Sequence, residues 1–353
     1  MKDTYDLVYL TNTPSFYKLN LCQEICRKDK TILLVLYGYG SEAVNSKLSD
    51  SNDWLFDYVF IHDGDSNKRN KLITFLKLIR LISRIKYHRL VYSGWLAPEY
   101  NMLAFCTSPK KNAMVCESTI FDVSFAGLYG AVKKAIINRM SAVLPSGRPH
   151  DRLFKSIGFK GKRFLTGSVG IFDKQQRSAK LIHSPLRYIY VGRLIDLKNV
   201  SMLVEVFNEN GKPLTIVGTG VLEKELKSKA KENISFTGFV DNEKLGSIYQ
   251  DHDIFILPSY HEVWGLVVEE ALYWGLPVIV SDCVGSSEDM VKDLNTGLIF
   301  KNNDCEDLQR CIDSMEADYI KYVGNVNLID WNQREHNQVD AYIKLLQYND
   351  EVR

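Results

Sequence analysis

Two carboxylates, Glu262 and Glu270, stand eight residues apart in the segment Pro258-Ser-Tyr-His-Glu-Val-Trp-Gly-Leu-Val-Val-Glu-Glu-Ala-Leu272. The apolar run before this segment reads as a strand, and the pattern after Gly265 as a helix. Glu262 is then expected in the loop and Glu270 about two turns along the helix. A carboxylate in such a loop can accept hydrogen bonds from sugar hydroxyls, and one deeper in can grip a ribose diol. Gly265 allows a close approach of backbone to ligand. The helix start behind it offers N–H groups and the positive end of a dipole to a diphosphate. Upstream, Tyr190-Val-Gly-Arg-Leu-Ile-Asp-Leu-Lys-Asn199 again runs from strand to glycine to loop. Arg193 and Lys198 fall at the carboxyl mouth of that strand. Two cations there suit a diphosphate, both bound and as a leaving group, the arginine as a fork and the lysine as a point charge.

Each of these residues alone has an ordinary explanation: a glutamate on a helix is usually solvated, and an arginine in a loop usually makes a surface ion pair. Their order, each after a strand, favours the chemical reading. Other motifs do not gain such support. Gly218-Thr-Gly220 has Glu223 where a dinucleotide fingerprint would place its third glycine, so a tight turn is expected instead. Asp63-Gly-Asp65 has the look of a metal-binding pair but lies in a polar loop before a basic helix, where a solvated turn is expected. No metal site is expected.

The elements that position these groups follow from the alternation of short apolar runs with helical patterns. Tyr5–Leu10, Thr31–Tyr37, Asp57–Ile61, Arg89–Tyr92, Ala113–Cys116 and Ala142–Leu144 form one series of buried strands. Arg187–Val191, Pro213–Val217, Ile234–Phe236, Ile254–Leu257, Pro277–Val280 and Gly297–Phe300 form a second. Apolar strands separated by helices mark a parallel sheet covered on both faces. The polar stretch from Gly167 to Pro185 separates the series and reads as a linker. With 353 residues, two cores are the default. The expected class is therefore α/β, with two Rossmann-like doubly wound domains facing a cleft. Their expected extents are 1–172 and 184–325. A terminal stretch, 326–353, carries a helix with Tyr342, Leu345 and Leu346 on one face, expected to cross back to the first domain.

These segments together resemble the large family 4 of retaining glycosyltransferases, which has the two-domain GT-B fold. The resemblance rests on a Glu-x7-Glu motif at Glu262 and Glu270, and on a Gly-Arg-x4-Lys motif at Gly192, Arg193 and Lys198. Ile216 to Gly220, Phe236 to Val240, Gly275 to Val278, and Gly285 to Glu288 followed by Asn295 to Gly297 match in the same order. The likeness is nearly continuous over the C-terminal half and only general over the N-terminal half. It implies that Arg193 and Lys198 contact a donor diphosphate. It implies that Glu262 contacts the donor sugar beside the amides of Trp264, Gly265 and Leu266, with Val263 in the same loop. Glu270 would bind the ribose, Gly218 would line the donor site, and Phe239 and Val240 would lie against the base. Two departures stand out: Asn199 where the family often has glycine, and Ser286-Ser287 where Gly-x or x-Pro is commoner.

The resemblance assigns the N-terminal domain to the acceptor. Pro14, Ser15, Phe16 and Tyr17 follow the first strand and are the candidate acceptor-binding residues. Many family members have a histidine near Glu117 that touches the donor sugar. Glu117 is the candidate replacement, as sugar contact or as acceptor base; the alternative is a helix start capped by Ser118 or Thr119. The expected function is retaining transfer of a hexosyl unit from a nucleotide-diphosphate sugar to a saccharide or lipid-linked saccharide, in surface-polysaccharide synthesis. Neither a cofactor nor a metal is expected beyond the donor itself. Two rivals remain: a nucleotide-sugar epimerase, for which no set of acid–base residues is found, and a non-catalytic GT-B binding subunit, which the intact charged set opposes.

Composition constrains the surroundings. The chain is 45% hydrophobic and 25% charged, with a formal net charge of +1, so nothing draws it to nucleic acid. Seven cysteines form no CxxC pair, and small buried thiols in a reducing cytosol are expected. The first apolar run is too short for a signal peptide, and no run of membrane-spanning length occurs. The expected location is the cytoplasm, with a peripheral place at the inner face of the membrane as a second reading. That second reading rests on residues 68–89, which contain Lys68, Arg69, Lys71, Lys77, Arg80, Arg84, Lys86 and Arg89 and no acid. Lys77, Arg80 and Arg84 share one helical face. A basic amphipathic helix can lie on an anionic membrane; the competing expectation is a core-packed helix with a solvated basic face.

Overall fold

Aliphatic runs such as Ile32–Leu36 and Ile254–Leu257 are buried along their whole length, as strands covered on both faces must be. The computed structural model describes residues 2–38, 53–62, 64–95, 97–120, 123–178 and 180–348. Contacts divide the chain into two units, Met1–Asp173 with Asn332–Arg353, and Lys174–Trp331.

Among the described residues, the first unit holds seven parallel strands: β1 (Thr4–Thr11), β2 (Ile32–Leu36), β3 (Asp57–Phe60), β4 (Lys86–Ser93), β5 (Asn112–Cys116), β6 (Ala142–Pro145) and β7 (Lys162–Arg163). Their order is β3-β2-β1-β4-β5-β6-β7. This is the doubly wound order, and it reverses direction between β1 and β4. One face is covered by α2 (Lys71–Ile82), α3 (Pro98–Cys106), α4 (Gly127–Ile137) and α5 (Arg148–Ser156). The other is covered by α1 (Phe16–Cys26) and by the last helix of the chain, Trp331–Gln347. That last helix thus returns to the first unit, as its apolar face implied. Tyr342 packs 6.3 Å from Tyr9, ring to ring. Arg89 Nε donates to the Leu345 carbonyl at 3.2 Å, at the end of the helix where carbonyls lack partners.

The second unit holds six parallel strands: β8 (Tyr188–Val191), β9 (Leu214–Val217), β10 (Ile234–Gly238), β11 (Ile254–Leu257), β12 (Val278–Ser281) and β13 (Gly297–Phe300). The order β10-β9-β8-β11-β12-β13 repeats that of the first unit and reverses between β8 and β11. Its helices are α6 (Val200–Asn210), α7 (Glu223–Lys229), α8 (Asn242–Gln250), α9 (Leu266–Tyr273), α10 (Cys305–Ala317) and α11 (Tyr319–Asn327). The last helix of the chain is α12.

Several expectations change in detail. Among the bases of residues 68–89, Arg89 is buried and Arg69 is bonded to the buried carboxylate of Glu99 at 2.8 Å. Neither belongs to a surface. Lys77 Nζ donates to the Ile61 carbonyl at 3.0 Å. Asp65 closes a short 3-10 turn by accepting from the Asn67 amide, as a turn residue does; Asp63 lies outside the described residues. All seven cysteines are free, and Cys22, Cys26, Cys116 and Cys311 are buried. No described helix is long and apolar enough to cross a membrane.

Candidate active site

In a doubly wound sheet, the loops at the reversal point splay apart at the carboxyl ends of the strands and leave a crevice. In the second unit this point lies between β8 and β11, and both charged motifs fall there. After β8 the chain turns through Gly192 and Arg193 into a 3-10 turn, Asp196–Lys198. The turn ends on Asn199, whose φ of 50° is left-handed. Only glycine and, less readily, asparagine adopt that conformation at low cost. The departure from glycine at Asn199 therefore keeps the backbone shape.

The 3-10 turn carries Lys198 to Glu262, and the two side chains form an ion pair, with 15% and 14% of their surfaces exposed. Glu262 is held by its own backbone. Its amide donates to the Cys283 carbonyl at 3.3 Å, and its carbonyl accepts from the Gly285 amide at 2.8 Å. A Cβ on Gly285 would meet the Val263 carbonyl at 2.0 Å, so the loop after β11 is zipped tightly to the loop after β12. Trp264 is buried, and its carbonyl accepts from Ser286 at 3.0 Å. Ser286 is itself fully buried there, which explains a small side chain at that place. Gly265 then turns into α9 with φ 87°. Helix geometry leaves the amides of Leu266 and Val267 without intrahelical acceptors.

Glu270 lies one turn along α9, not two, because the helix starts only at Leu266. It neighbours the buried Tyr249, whose phenol is pushed well above its ordinary pKa by burial and then by the Glu270 charge. Tyr190, under the β8 mouth, is also raised, by burial first and then by Glu262, with Arg193 acting the other way. The phenol thus senses both charges. Its hydroxyl donates to the Arg193 carbonyl at 3.0 Å, and the Arg193 residue is exposed. Gly218, at φ 129°, packs on the first loop, since a Cβ there would lie 2.0 Å from the Gly192 carbonyl oxygen. The turn expected at Gly218 to Gly220 is closed later, at Val221 and Leu222, where the Glu223 amide donates to the Gly220 carbonyl at 3.1 Å. Phe239 follows β10 and is 61% exposed, with Val240 half-buried beside it. An exposed aromatic ring at a strand's carboxyl end is a ready stacking surface.

The first unit has its own reversal point, between β1 and β4. A cavity of about 100 Å³ there is lined by Asn12, Lys18, Ser93, Trp95, Glu117 and Ser118, among others. Glu117 forms an ion pair with Lys18 at 3.2 Å. Lys18 is buried in the first turn of α1; burial lowers its pKa, but the Glu117 charge and hydrogen bond together with Tyr17 and Tyr9 outweigh this and the net shift is upward. Sequence reasoning missed Lys18, because a lysine behind two aromatic residues carries no signal of burial. Pro14, Ser15, Phe16 and Tyr17 do not line this cavity. The Tyr17 ring instead packs against Gly170, and its carbonyl accepts from Ile171 at 2.9 Å. Ser15 precedes α1 without a side-chain capping bond, and the Phe16 ring meets that of Tyr17 edge-on. The helix cap offered as the alternative at Ser118 and Thr119 is not formed, since α4 starts only at Gly127.

Residues 171–325, which contain both charged motifs, match the family described as glycosyl transferases group 1. The second unit is thus similar to the group 1 glycosyltransferases along nearly its whole length. Among similar proteins, an uncharacterised 41.2 kDa protein of the cps region of Klebsiella pneumoniae is 29% identical over 167 residues, covering 47% of this chain and 38% of that protein. A GDP-mannose-dependent alpha-mannosyltransferase of Mycobacterium tuberculosis is 36% identical over 110 residues, 31% of this chain and 29% of that one. The chain thus spans less than half the length of these curated relatives. Sucrose-phosphate synthase of Thermosynechococcus elongatus has the same fold, with a TM-score of 0.72 at 16% identity over 98% of this chain and 100% of that one. The fold is of the GT-B class, a Rossmann-like sheet in each of two units.

Proposed function

We propose that this chain is a retaining glycosyltransferase moving a hexosyl unit from a nucleotide-diphosphate sugar to a saccharide or lipid-linked saccharide, in surface-polysaccharide synthesis. The observation that carries this reading is the Lys198–Glu262 pair at the β8/β11 reversal, beside the start of α9. One group suits a diphosphate and the other a sugar hydroxyl, side by side. Arg193 would join Lys198 on the diphosphate, Glu270 would hold the ribose, and Phe239 would stack on the base. The bond between the anomeric carbon and the diphosphate oxygen breaks as the acceptor hydroxyl bonds to the same face of that carbon. The hydroxyl proton passes to the departing diphosphate, whose charge Arg193 and Lys198 stabilise. Two protein cations suffice for that charge, so the reaction proceeds without a metal.

On the acceptor side, Glu117 held by Lys18 would accept a hydrogen bond from a hydroxyl of the incoming saccharide. The seven free cysteines support a reducing, cytoplasmic setting, and the protein would work peripherally at the inner face of the membrane. The test is an assay of the purified protein with a panel of nucleotide sugars and saccharide acceptors, in the presence of EDTA. The expected result is release of nucleoside diphosphate and a product whose anomeric configuration matches the donor. Interconversion of donor sugars without acceptor would instead establish an epimerase, and donor binding with no turnover a binding subunit.

A further inference from the structure

Helices α2, α3 and α4 pack side by side over one face of the first unit's sheet. Their inner sides feed the core through Leu78 and Ile82, Leu103 and Ala104, and Ile136 and Ile137. Their outer sides are apolar as well. Leu72, Ile73 and Leu76 of α2 point outward, with Met102 and Phe105 of α3. Leu128, Tyr129 and Val132 of α4 continue the surface. All of these are between 49% and 85% exposed. α2 and α4 contain no acidic residue, and the acid of α3, Glu99, is buried against Arg69. Lys71, Lys77, Arg80 and Lys134 are exposed on the same helices, and Arg84 lies just past α2. Core packing therefore accounts for Leu78 and Ile82 of α2, as the competing expectation has it, but not for Leu72, Ile73 and Leu76.

An apolar layer interspersed with positive charge and free of exposed acid is complementary to an anionic bilayer. The headgroups attract the lysines and arginines, and the acyl boundary takes up the leucines and aromatics. A second copy of the same face would bring like charges together. We propose that the outer face of α2, α3 and α4 seats the protein on an anionic membrane surface. Each of these helices follows a parallel strand and so begins at the carboxyl edge of the sheet. That edge also holds the cavity at Lys18 and Glu117, so a lipid-borne acceptor would arrive on the side where that cavity lies. This last step rests on the glycosyl-transfer reading; the docking itself does not.

The test is flotation of the full chain with phosphatidylcholine vesicles, with and without phosphatidylglycerol. The protein should float only with the anionic vesicles, and less as salt shortens the range of the attraction. Leu72→Ser with Leu76→Ser and Leu128→Ser, and separately Arg80→Gln with Arg84→Gln and Lys134→Gln, should each weaken vesicle affinity by about tenfold or more. Unchanged melting curves and unchanged turnover on a water-soluble acceptor would exclude misfolding as the cause. Absence of flotation with either vesicle, or serine variants that float as the parent does, would overturn the proposal. So would a serine variant that shifts the solution mass of a parent that binds no vesicles, which would make the face a contact between copies. Failure of the glycosyl-transfer reading would show in the turnover assay and leave flotation untouched.

Discussion

Lys198 and Glu262 neutralise each other at the mouth of β8, so a diphosphate must compete with a carboxylate for the same ammonium. This competition makes an asymmetric prediction. Glu262→Gln should bind nucleoside diphosphate severalfold more tightly while turning over more slowly, because it frees the cation and loses the sugar contact. Lys198→Ala and Arg193→Ala should each lose at least about tenfold in turnover, the effect of a charge-assisted bond worth about 1.5–3 kcal/mol to the leaving group. Calorimetric titration with nucleoside diphosphate and initial rates separate the two effects; weaker nucleotide binding by Glu262→Gln would refute the competition. At this scale the nearness of the two charged motifs was legible, because each motif is local in sequence and follows a strand at the reversal point. Asn199 shows that even a departure can be understood, once its left-handed φ is known. Lys18 was not legible: its meaning comes from Glu117, on a different strand-end loop 99 positions away, and no local pattern announces the pairing.

The elements themselves were readable because burial on both faces leaves unbroken aliphatic runs. Each of the twelve expected strands is present within a few residues of its expected ends. The strand that was missed, β7, is two exposed charged residues long and has no apolar signal to offer. The segment leading into β8 was read as a polar linker, yet parts of it are anchored to the second unit. The His183 ring donates from Nδ1 to the buried Asp253 carboxylate at 3.0 Å, and Arg177 lies over the Tyr273 ring. Lys180 puts its ammonium out of solvent with no hydrogen-bond partner among the described residues, and burial drops its pKa to about 7. An unfolded lysine keeps its proton to about pH 10.4. Between pH 7 and about 10 the unfolded chain therefore binds more protons at this site, and stability from Lys180 rises with pH. Below pH 7 both states are protonated and the cost of burying the charge is fully felt. Relative to Lys180→Met, the parent should gain stability in urea denaturation between pH 6.5 and 9. Parallel pH profiles for the two proteins would show that the lysine is solvated.

Across the whole molecule, the chain leaves the second unit at Trp331 and ends on the first, so chain order and unit membership do not coincide. The sequence carried this in one apolar stripe. α12 buries Val339, Tyr342, Leu345 and Leu346 in the core on the α1 side of the first sheet. Fully burying side chains of this kind is worth about 1.5–3 kcal/mol each, or about 6–12 kcal/mol for four as an upper estimate. That is comparable with the whole stability of a typical domain, about 5–15 kcal/mol. Arg89 adds to the loss, because removal of α12 leaves its buried guanidinium without the Leu345 carbonyl. A chain ending at residue 330 should therefore lose the cooperative melting of its first unit while the second still binds nucleoside diphosphate. The milder Leu345→Ala, which opens a cavity in a fully buried position, should cost about 2–5 kcal/mol and leave the nucleotide affinity as it was. Differential scanning calorimetry with and without nucleoside diphosphate separates the units, since ligand raises only the transition of the unit that binds it. A truncated chain that keeps both transitions would show that α12 does not hold the first unit together, and its stripe would then need another explanation.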